Sequence, residues 1–313
     1  MSASLSSADL LVVGESVADV ILQPDGTQVT HAGGSPANVA FGLARLGADV
    51  ALLTQLGADD DGALIAAHLV GAGVRLVEPP HPALRTPRAT ARIQPDGSAR
   101  YDFEIGWTLT PRETRAVRHV HTGSIAAFLS PGAEAVRALL EGARGVASIS
   151  FDPNIRPALL EDHEAARARF EQFAALSDVV KASDEDLDWL YPGEDPAGIA
   201  RGLVETGTGA AIVTRGGDGV IAMTRTGLLE LSAVRADVVD TVGAGDSFMA
   251  ALLADLGRHG LLGGGLRATL ARDDFDLRPH LEIAARAAAI TVSRAGANPP
   301  SAAELAAEGG DEA

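Results

Sequence analysis

The run Asp240-Thr241-Val242-Gly243-Ala244-Gly245-Asp246-Ser247-Phe248 sets a carboxylate beside a stretch of small residues. Gly243, Ala244 and Gly245 let the backbone turn sharply and leave amide N–H groups directed at open space, an arrangement that binds anions. A carboxylate next to an anion cradle repels the ligand unless it serves as a proton acceptor. That pairing is what phosphoryl transfer to an alcohol requires: Asp246 takes the hydroxyl proton while the amides receive charge on the phosphoryl group. The alternative for such a run in isolation is a glycine-rich turn capped by an aspartate.

Other polar groups cluster at the ends of apolar runs. Glu15 and Asp19 follow Leu10 to Val13, and open α/β sheets bind ligands just beyond the C-terminal ends of their strands. Ala32-Gly33-Gly34-Ser35-Pro36-Ala37-Asn38 precedes a helical pattern in which Ser35 reads as the N-cap, Pro36 as the first helical residue and Gly47 as the stop. The paired glycines also allow a ligand to touch the backbone, and Asn38 can donate to and accept from a sugar hydroxyl. Asp152-Pro153-Asn154-Ile155-Arg156 ends another strand and suits hydroxyls and phosphate, with Arg156 able to engage two oxygens, although Asp-Pro-Asn is also turn chemistry. Lys181 is the only lysine among 25 basic residues, every other cation being arginine. One retained ammonium suggests a place where a planar guanidinium does not fit.

The elements that must position these groups alternate. Val50 to Leu53, Val74 to Val77, Val117 to His121, Val146 to Phe151, Val179 to Lys181 and Ala211 to Thr214 read as strands. Gly62 to Val70, Ala133 to Glu141, Glu164 to Leu176 and Leu281 to Val292 read as helices, so the fold class is α/β with a mostly parallel sheet. Ser183 caps a helix with an acidic first turn at Asp184, Glu185 and Asp186. Arg215-Gly216-Gly217-Asp218-Gly219 turns Thr214 back into Val220 to Met223, and with Leu228 to Leu231 this predicts an antiparallel end to the sheet. Val234 to Val239 is expected to be a further strand leading into Asp240. Thr90 to Ile93 and Ala99 to Ile105 flank Pro95-Asp96-Gly97-Ser98, a hairpin that breaks the rhythm; with part of Val17 to Val29 it is expected to form a small β lid that excludes water.

The chain has 313 residues, a net charge of −17 and no cysteine. The charge disfavours nucleic acid and anionic membranes, and the lack of cysteine removes disulfides, thiolate–zinc sites and thiol chemistry. No stretch approaches the ~20 apolar residues of a membrane span, so a cytoplasmic protein is expected. One domain spans residues 8–300, with the lid from about 17–31 and 88–106, and an Ala-, Glu- and Gly-rich tail, 301–313, is expected to fray.

Taken together, Gly33-Gly34-x-x-x-Asn38 and Asp240-Thr241-x-Gly-Ala-Gly-Asp246 resemble the two signatures of the ribokinase-like (PfkB) carbohydrate kinase family, in an order and spacing that cover about residues 8 to 300. The resemblance implies a three-layer α/β/α sandwich with a β lid and an ATP-dependent sugar kinase using Mg2+, with K+ in some members. It implies Asp246 as base, with Gly243, Ala244 and Gly245 as anion hole. Asp19, Gly33, Gly34 and Asn38 match sugar contacts. Lys181 and Ser183 fall near the ATP phosphates, Thr214, Gly216 and Gly219 in the nucleotide loop, and Asn298 near the adenine. Asp240 and Thr241, with carbonyls near Arg294 and Gly296, fall where some members hold a monovalent cation. Many members carry Asn-x-x-Glu where this chain has Ser183-Asp184-Glu185-Asp186, so Asp186 would approach magnesium only through water.

Asp-Pro-Asn-Ile-Arg, and His121-Thr-Gly-Ser124 followed by Pro131-Gly132, look like fructokinase and 2-keto-3-deoxygluconate kinase members. A carboxylated sugar calls for an extra cation near the lid, where Tyr101-Asp102-Phe103-Glu104 offers carboxylates. A neutral ketohexose, fructose, is therefore the expected acceptor, with 2-keto-3-deoxygluconate, ribose or a nucleoside as alternatives. A homodimer through the lid is the expected assembly. A sugar-binding regulator on the same scaffold would predict a lost base or ruined anion loop, and both are intact. A dinucleotide-dependent oxidoreductase lacks its Gly-x-Gly-x-x-Gly.

Overall fold

The computed structural model describes residues 8–94, 98–109 and 117–308. In chain order these form β1 (Leu10–Val13), β2 (Val17–Leu22), β3 (Gln28–Gly33), α1 (Ser35–Arg45), β4 (Val50–Leu53), α2 (Asp60–Gly71), β5 (Arg75–Leu76), β6 (Arg88–Ile93) and β7 (Ala99–Glu104). There follow β8 (His119–Gly123), α3 (Ile125–Phe128), α4 (Gly132–Ala143), β9 (Ser148–Asp152), α5 (His163–Leu176), β10 (Val179–Ser183), α6 (Asp184–Leu190), α7 (Pro196–Glu205) and β11 (Ala210–Thr214). The chain closes with β12 (Val220–Thr224), β13 (Gly227–Leu231), α8 (Ala244–Arg258), α9 (Leu266–Leu270), α10 (Arg278–Val292) and α11 (Ala302–Glu308).

Most of the central strands are short, buried runs, and the strands assemble into a central sheet of order β13-β12-β11-β10-β9-β8-β1-β4-β5. Pairing is parallel from β5 to β11 and antiparallel from β11 through β12 to β13, as the sequence predicts. Because strand side chains alternate, each face meets its own helical layer. Leu10, Val12, Val50, Leu52, Ile212 and Ala222 pack with α1, α2, α8 and α10. Leu11, Val13, Val120, Ile149, Phe151 and Val213 pack with α4, α5, α6 and α7. The molecule is the expected α/β/α sandwich.

A second sheet, β3-β2-β6-β7, stands apart as the lid. The β6–β7 hairpin is antiparallel as anticipated, while the turn residues 95–97 lie outside the described residues. Two expectations fail. Residues 232–242 carry no strand, and Val234, Val238, Val239 and Val242 are exposed: β-branched composition alone cannot hold an extended segment that finds no partner edge. The expected fraying from Ser301 is also wrong as far as residue 308, because α11 buries Leu305 and Glu304 binds Arg45 at 3.2 Å and Arg294 at 2.7 Å.

β1 pairs with β4 on one side and β8 on the other, so the chain leaves β1 in both directions. The resulting crevice beyond the strand C-termini is where ligands of open α/β sheets bind.

Candidate active site

Two cavities open at this end. One, of about 520 Å³, is lined by residues following β1, β8, β9, β10 and β11, by α1, and by the lid's Tyr101 and Phe103. The other, of about 570 Å³, lies between the Gly216–Gly219 turn, the 232–238 segment and α10. Thr214, Thr241 and Gly245 border both. A reactant in each would meet at the start of α8.

That start follows from local sequence. Gly243 is the N-cap with φ +78°, a left-handed turn, and a Cβ there would come within 2.7 Å of Ala297. The first amide to close back inside the helix is that of Ser247, onto Gly243 O at 2.8 Å. Ala244 N reaches Thr241 O only at 3.3 Å, and among the described hydrogen bonds none uses the amides of Gly243, Gly245 or Asp246. These donors, at the positive end of a 15-residue helix, are free for an anion.

Asp246 sits in the first turn, 7% exposed. Its Oδ1 accepts from Ser35 Oγ at 2.6 Å and its Oδ2 from Asn38 Nδ2 at 2.8 Å. The expectation for Ser35 needs correcting: Gly34 is the N-cap of α1, with φ +99°, and Ser35 already belongs to the helix, with no capping bond. Its hydroxyl holds the base instead. Pro36 is accordingly the second helical residue and not the first, one position later than expected. Asn38 spends one N–H on Asp246 and keeps its carbonyl oxygen and second N–H for a ligand.

Gly33 does not line the cavity. A Cβ there would land on the Asp19 carboxylate, so this glycine makes room for a side chain of the chain itself. Asp19 opens into the cavity mouth, and the protein crowded around it pushes its carboxyl up to about 6, against the opposing charges of Arg156 and His31. Glu15, 1% exposed, also lines the cavity; burial pushes it up to about 7, although Ala126 N donates to its Oε2 at 2.9 Å.

Lys181 is buried and its Nζ lies 2.6 Å from Asp152 Oδ2. Burial works against its charge, but Asp152, Asp186 and Asp246 together hold the ammonium above its ordinary range. A Cβ added at Gly245 would come within 2.8 Å of Nζ, so the sole lysine abuts the free amides. Asp152 is itself pushed up to about 6 by burial, despite Lys181, and its Oδ1 has no hydrogen-bond partner.

Arg156, Ser183 and Thr214 border the first cavity, and Ala244, Gly216 and Gly219 the second. Asp186 Oδ1 accepts from Ile155 N at 2.7 Å and Oδ2 from Ser183 N at 2.9 Å, completing a capping box with Ser183. Asp240 lines neither cavity; its carboxylate joins Val242 N at 3.0 Å to Gly296 N at 2.8 Å. Asn298 is exposed and lines neither cavity.

The lid overturns one argument from sequence. Tyr101 and Phe103 face the cavity, so by strand alternation Asp102 points away, where it binds Arg92 at 2.6 Å. The carboxylates of Asp102 and Glu104 therefore do not line the cavity, and Asp19 of β2 is the lid carboxylate that does. Glu15, Asp19, Asp186 and Asp246 are the acids that line the cavity, alongside Arg156 and Lys181. Sequence reasoning missed Ser35 as a partner of the base. It also missed the aromatic floor of the lid, which period-two alternation of Tyr101-Asp102-Phe103-Glu104 could have revealed.

The family of pfkB carbohydrate kinases matches residues 7–304. A fructokinase of Rhizobium leguminosarum bv. trifolii is 33% identical over 271 residues, 81% of this chain and 81% of that protein. A fructokinase of Escherichia coli is 30% identical over 93% of this chain and 95% of its own length. Among solved structures, a Xylella fastidiosa fructokinase with bound ATP superposes with a TM-score of 0.85 at 26% identity, covering 96% of this chain and 98% of that one. A Vibrio cholerae O395 fructokinase with fructose, ADP and calcium ion gives 0.79 at 25%, covering 96% and 99%.

Proposed function

This chain belongs to the pfkB family of carbohydrate kinases, and from that premise we propose that it transfers the γ-phosphoryl group of ATP to a primary hydroxyl of fructose. The carrying observation is the position of Asp246, a carboxylate fixed by Ser35 and Asn38 in the first cavity, next to Gly245, which borders both. The first cavity suits a neutral polyol: Asp19, Asn38, Asn154 and Arg156 offer hydroxyl partners, and Tyr101 and Phe103 offer an apolar face. The second suits a purine, with Val234, Ala236, Val238, Ala285, Ala288 and Ala289 around it.

In this reading Asp246 takes the proton as the sugar oxygen attacks phosphorus in line. The amides at Gly243 and Gly245, that of Ala244 once it exchanges its 3.3 Å bond to Thr241 O, and the Lys181 ammonium receive charge gathering on the phosphoryl oxygens. Closure of the lid removes water, which would otherwise compete as acceptor. Magnesium, when bound, neutralises phosphate charge. Both Asp186 oxygens already accept a backbone amide, which fits an ion held mainly by phosphates and water, with Asp186 reaching it through water. Asp240 and Thr241, tied to the Gly296 loop, are the candidate monovalent-cation position. β7 leaves an open lid edge for the expected homodimer contact. Among the described residues no helix is long and apolar enough to cross a membrane, in keeping with the proposed cytoplasmic location.

Release of ADP from Mg-ATP, measured against fructose, glucose, ribose, 2-keto-3-deoxygluconate and nucleosides, tests the assignment. Fructose should give the highest kcat/KM. A nucleoside or an acidic sugar in first place would reassign the acceptor, and release with none of them would remove the kinase reading.

A further inference from the structure

At its far end, about 13 Å along the helix from Asp246, α8 carries a second cluster that phosphoryl transfer does not use. Asp255 lies in the last turn of α8, His259 follows one turn on as the residue just past its end, and His280 belongs to the first turn of α10. Asp255 and His280 are buried, and His259 is exposed. One ligand atom from each of the three lies within 4.8 Å of the others.

The contacts give the two carboxylate oxygens different tasks. Oδ1 accepts from Arg258 Nη2 at 3.2 Å. Oδ2 faces both imidazoles, at 2.6 Å from His280 Nδ1 and 3.6 Å from His259 Nδ1. A buried Asp–His hydrogen bond between two helices explains the first of these distances and needs no second imidazole. The two distances bracket the roughly 3.3 Å ligand-to-ligand edge of a tetrahedral site with bonds of about 2.0–2.1 Å. Phe275 stacks on His280 with centroids 5.8 Å apart, and the His259 ring meets it edge-on at 5.3 Å, so His280 is held from two sides.

We propose that Asp255, His259 and His280 form a binding site for a divalent transition-metal ion of the zinc type, with water in the fourth position, joining the end of α8 to the start of α10. Two imidazoles and one carboxylate select zinc, cobalt or nickel over the hard ions magnesium and calcium, which prefer an all-oxygen set. Binding exchanges the 2.9 Å bond of His259 Nδ1 to the Asp255 carbonyl for a metal bond. The solvent-facing position of His259 gives the ion its way in. Since α8 carries Asp246 and α10 lines the second cavity, the ion would brace the two helices behind the active site. Its effect belongs to stability and not to turnover.

The test uses full-length protein treated with chelator, free of nucleotide because ATP itself binds zinc, and saturated with Mg2+ to occupy hard-ion sites. Calorimetric titration with Zn2+ should show one ion per chain, and Co2+ should give the visible absorption of a four-coordinate site. His259→Ala, an exposed change that leaves the fold and the fructose-dependent activity intact, should weaken Zn2+ binding at least about tenfold, since loss of even an outer-shell partner costs that much. Zn2+ should raise the melting temperature of the parent protein and not of this variant. No binding above the buffer blank, or one-to-one binding unchanged by His259→Ala, would overturn the proposal.

Discussion

Asp246 is useful as a base because both of its oxygens are aimed by α1, a neighbour more than 200 positions away in sequence. Asp246→Asn removes the proton acceptor and should lower kcat by about 10²- to 10⁴-fold, with sugar binding measured by calorimetry largely kept. Ser35→Ala removes one charge-assisted bond to that carboxylate; kcat should fall about tenfold or more while the sugar KM stays near its parent value. A change confined to KM would mean that Ser35 contacts the sugar and not the base. Glu15 supplies a pH signature. Its carboxyl is raised to about 7 in the folded protein from an ordinary 4.5, so the folded state retains a proton that the unfolded state has released. Its contribution therefore weakens stability as pH rises from about 4.5 to 7 and levels off above that. Glu15→Gln should be stabilised relative to the parent increasingly over that window, by up to about 3 kcal/mol, as read from urea midpoints between pH 5 and 8.

At the scale of elements, the lid works through alternation. β7 sends Tyr101 and Phe103 into the cavity and gives Asp102 to Arg92 on the outside. Phe103→Ala should raise the sugar KM about three- to tenfold, the loss of about 1 kcal/mol of apolar contact, and should increase ATP hydrolysis without sugar. Unchanged values of both would remove the lid from sugar retention. β9 and β10 show a different economy: on the face towards α8 they place Asp152 and Lys181 in contact instead of aliphatic side chains. A buried ion pair is weak evidence for stability, so its place against Gly245 is better explained by chemistry than by folding.

For the whole molecule, α11 seals one helical layer, that of α1, α8 and α10. Leu305 is 6% exposed, and Glu304 connects Arg45 of α1 with Arg294 beyond α10. Truncation after Pro300 should lower the melting temperature by on the order of 5 °C, from the burial of one leucine alone, with a smaller effect on kcat. A melting temperature equal to that of the full chain would show that α11 adds nothing.

The architecture was legible from sequence because strand and helix periods are local properties: β4 falls on Val50–Leu53 as predicted, and β8 to β12 lie within two residues of their predicted starts and ends. The Gly-Ala-Gly-Asp corner was equally readable, since a left-handed turn and a helix start are set by neighbours in the chain. What sequence could not decide was partnership. Whether Ser35 caps its own helix or bonds Asp246, whether Val234 to Val239 finds an edge to pair with, which way Asp102 points, and that Asp255 and His259 meet His280 all depend on long-range packing. Those outcomes were fixed only when the sheet brought distant segments within hydrogen-bond distance, because a side chain takes the partner that burial leaves it.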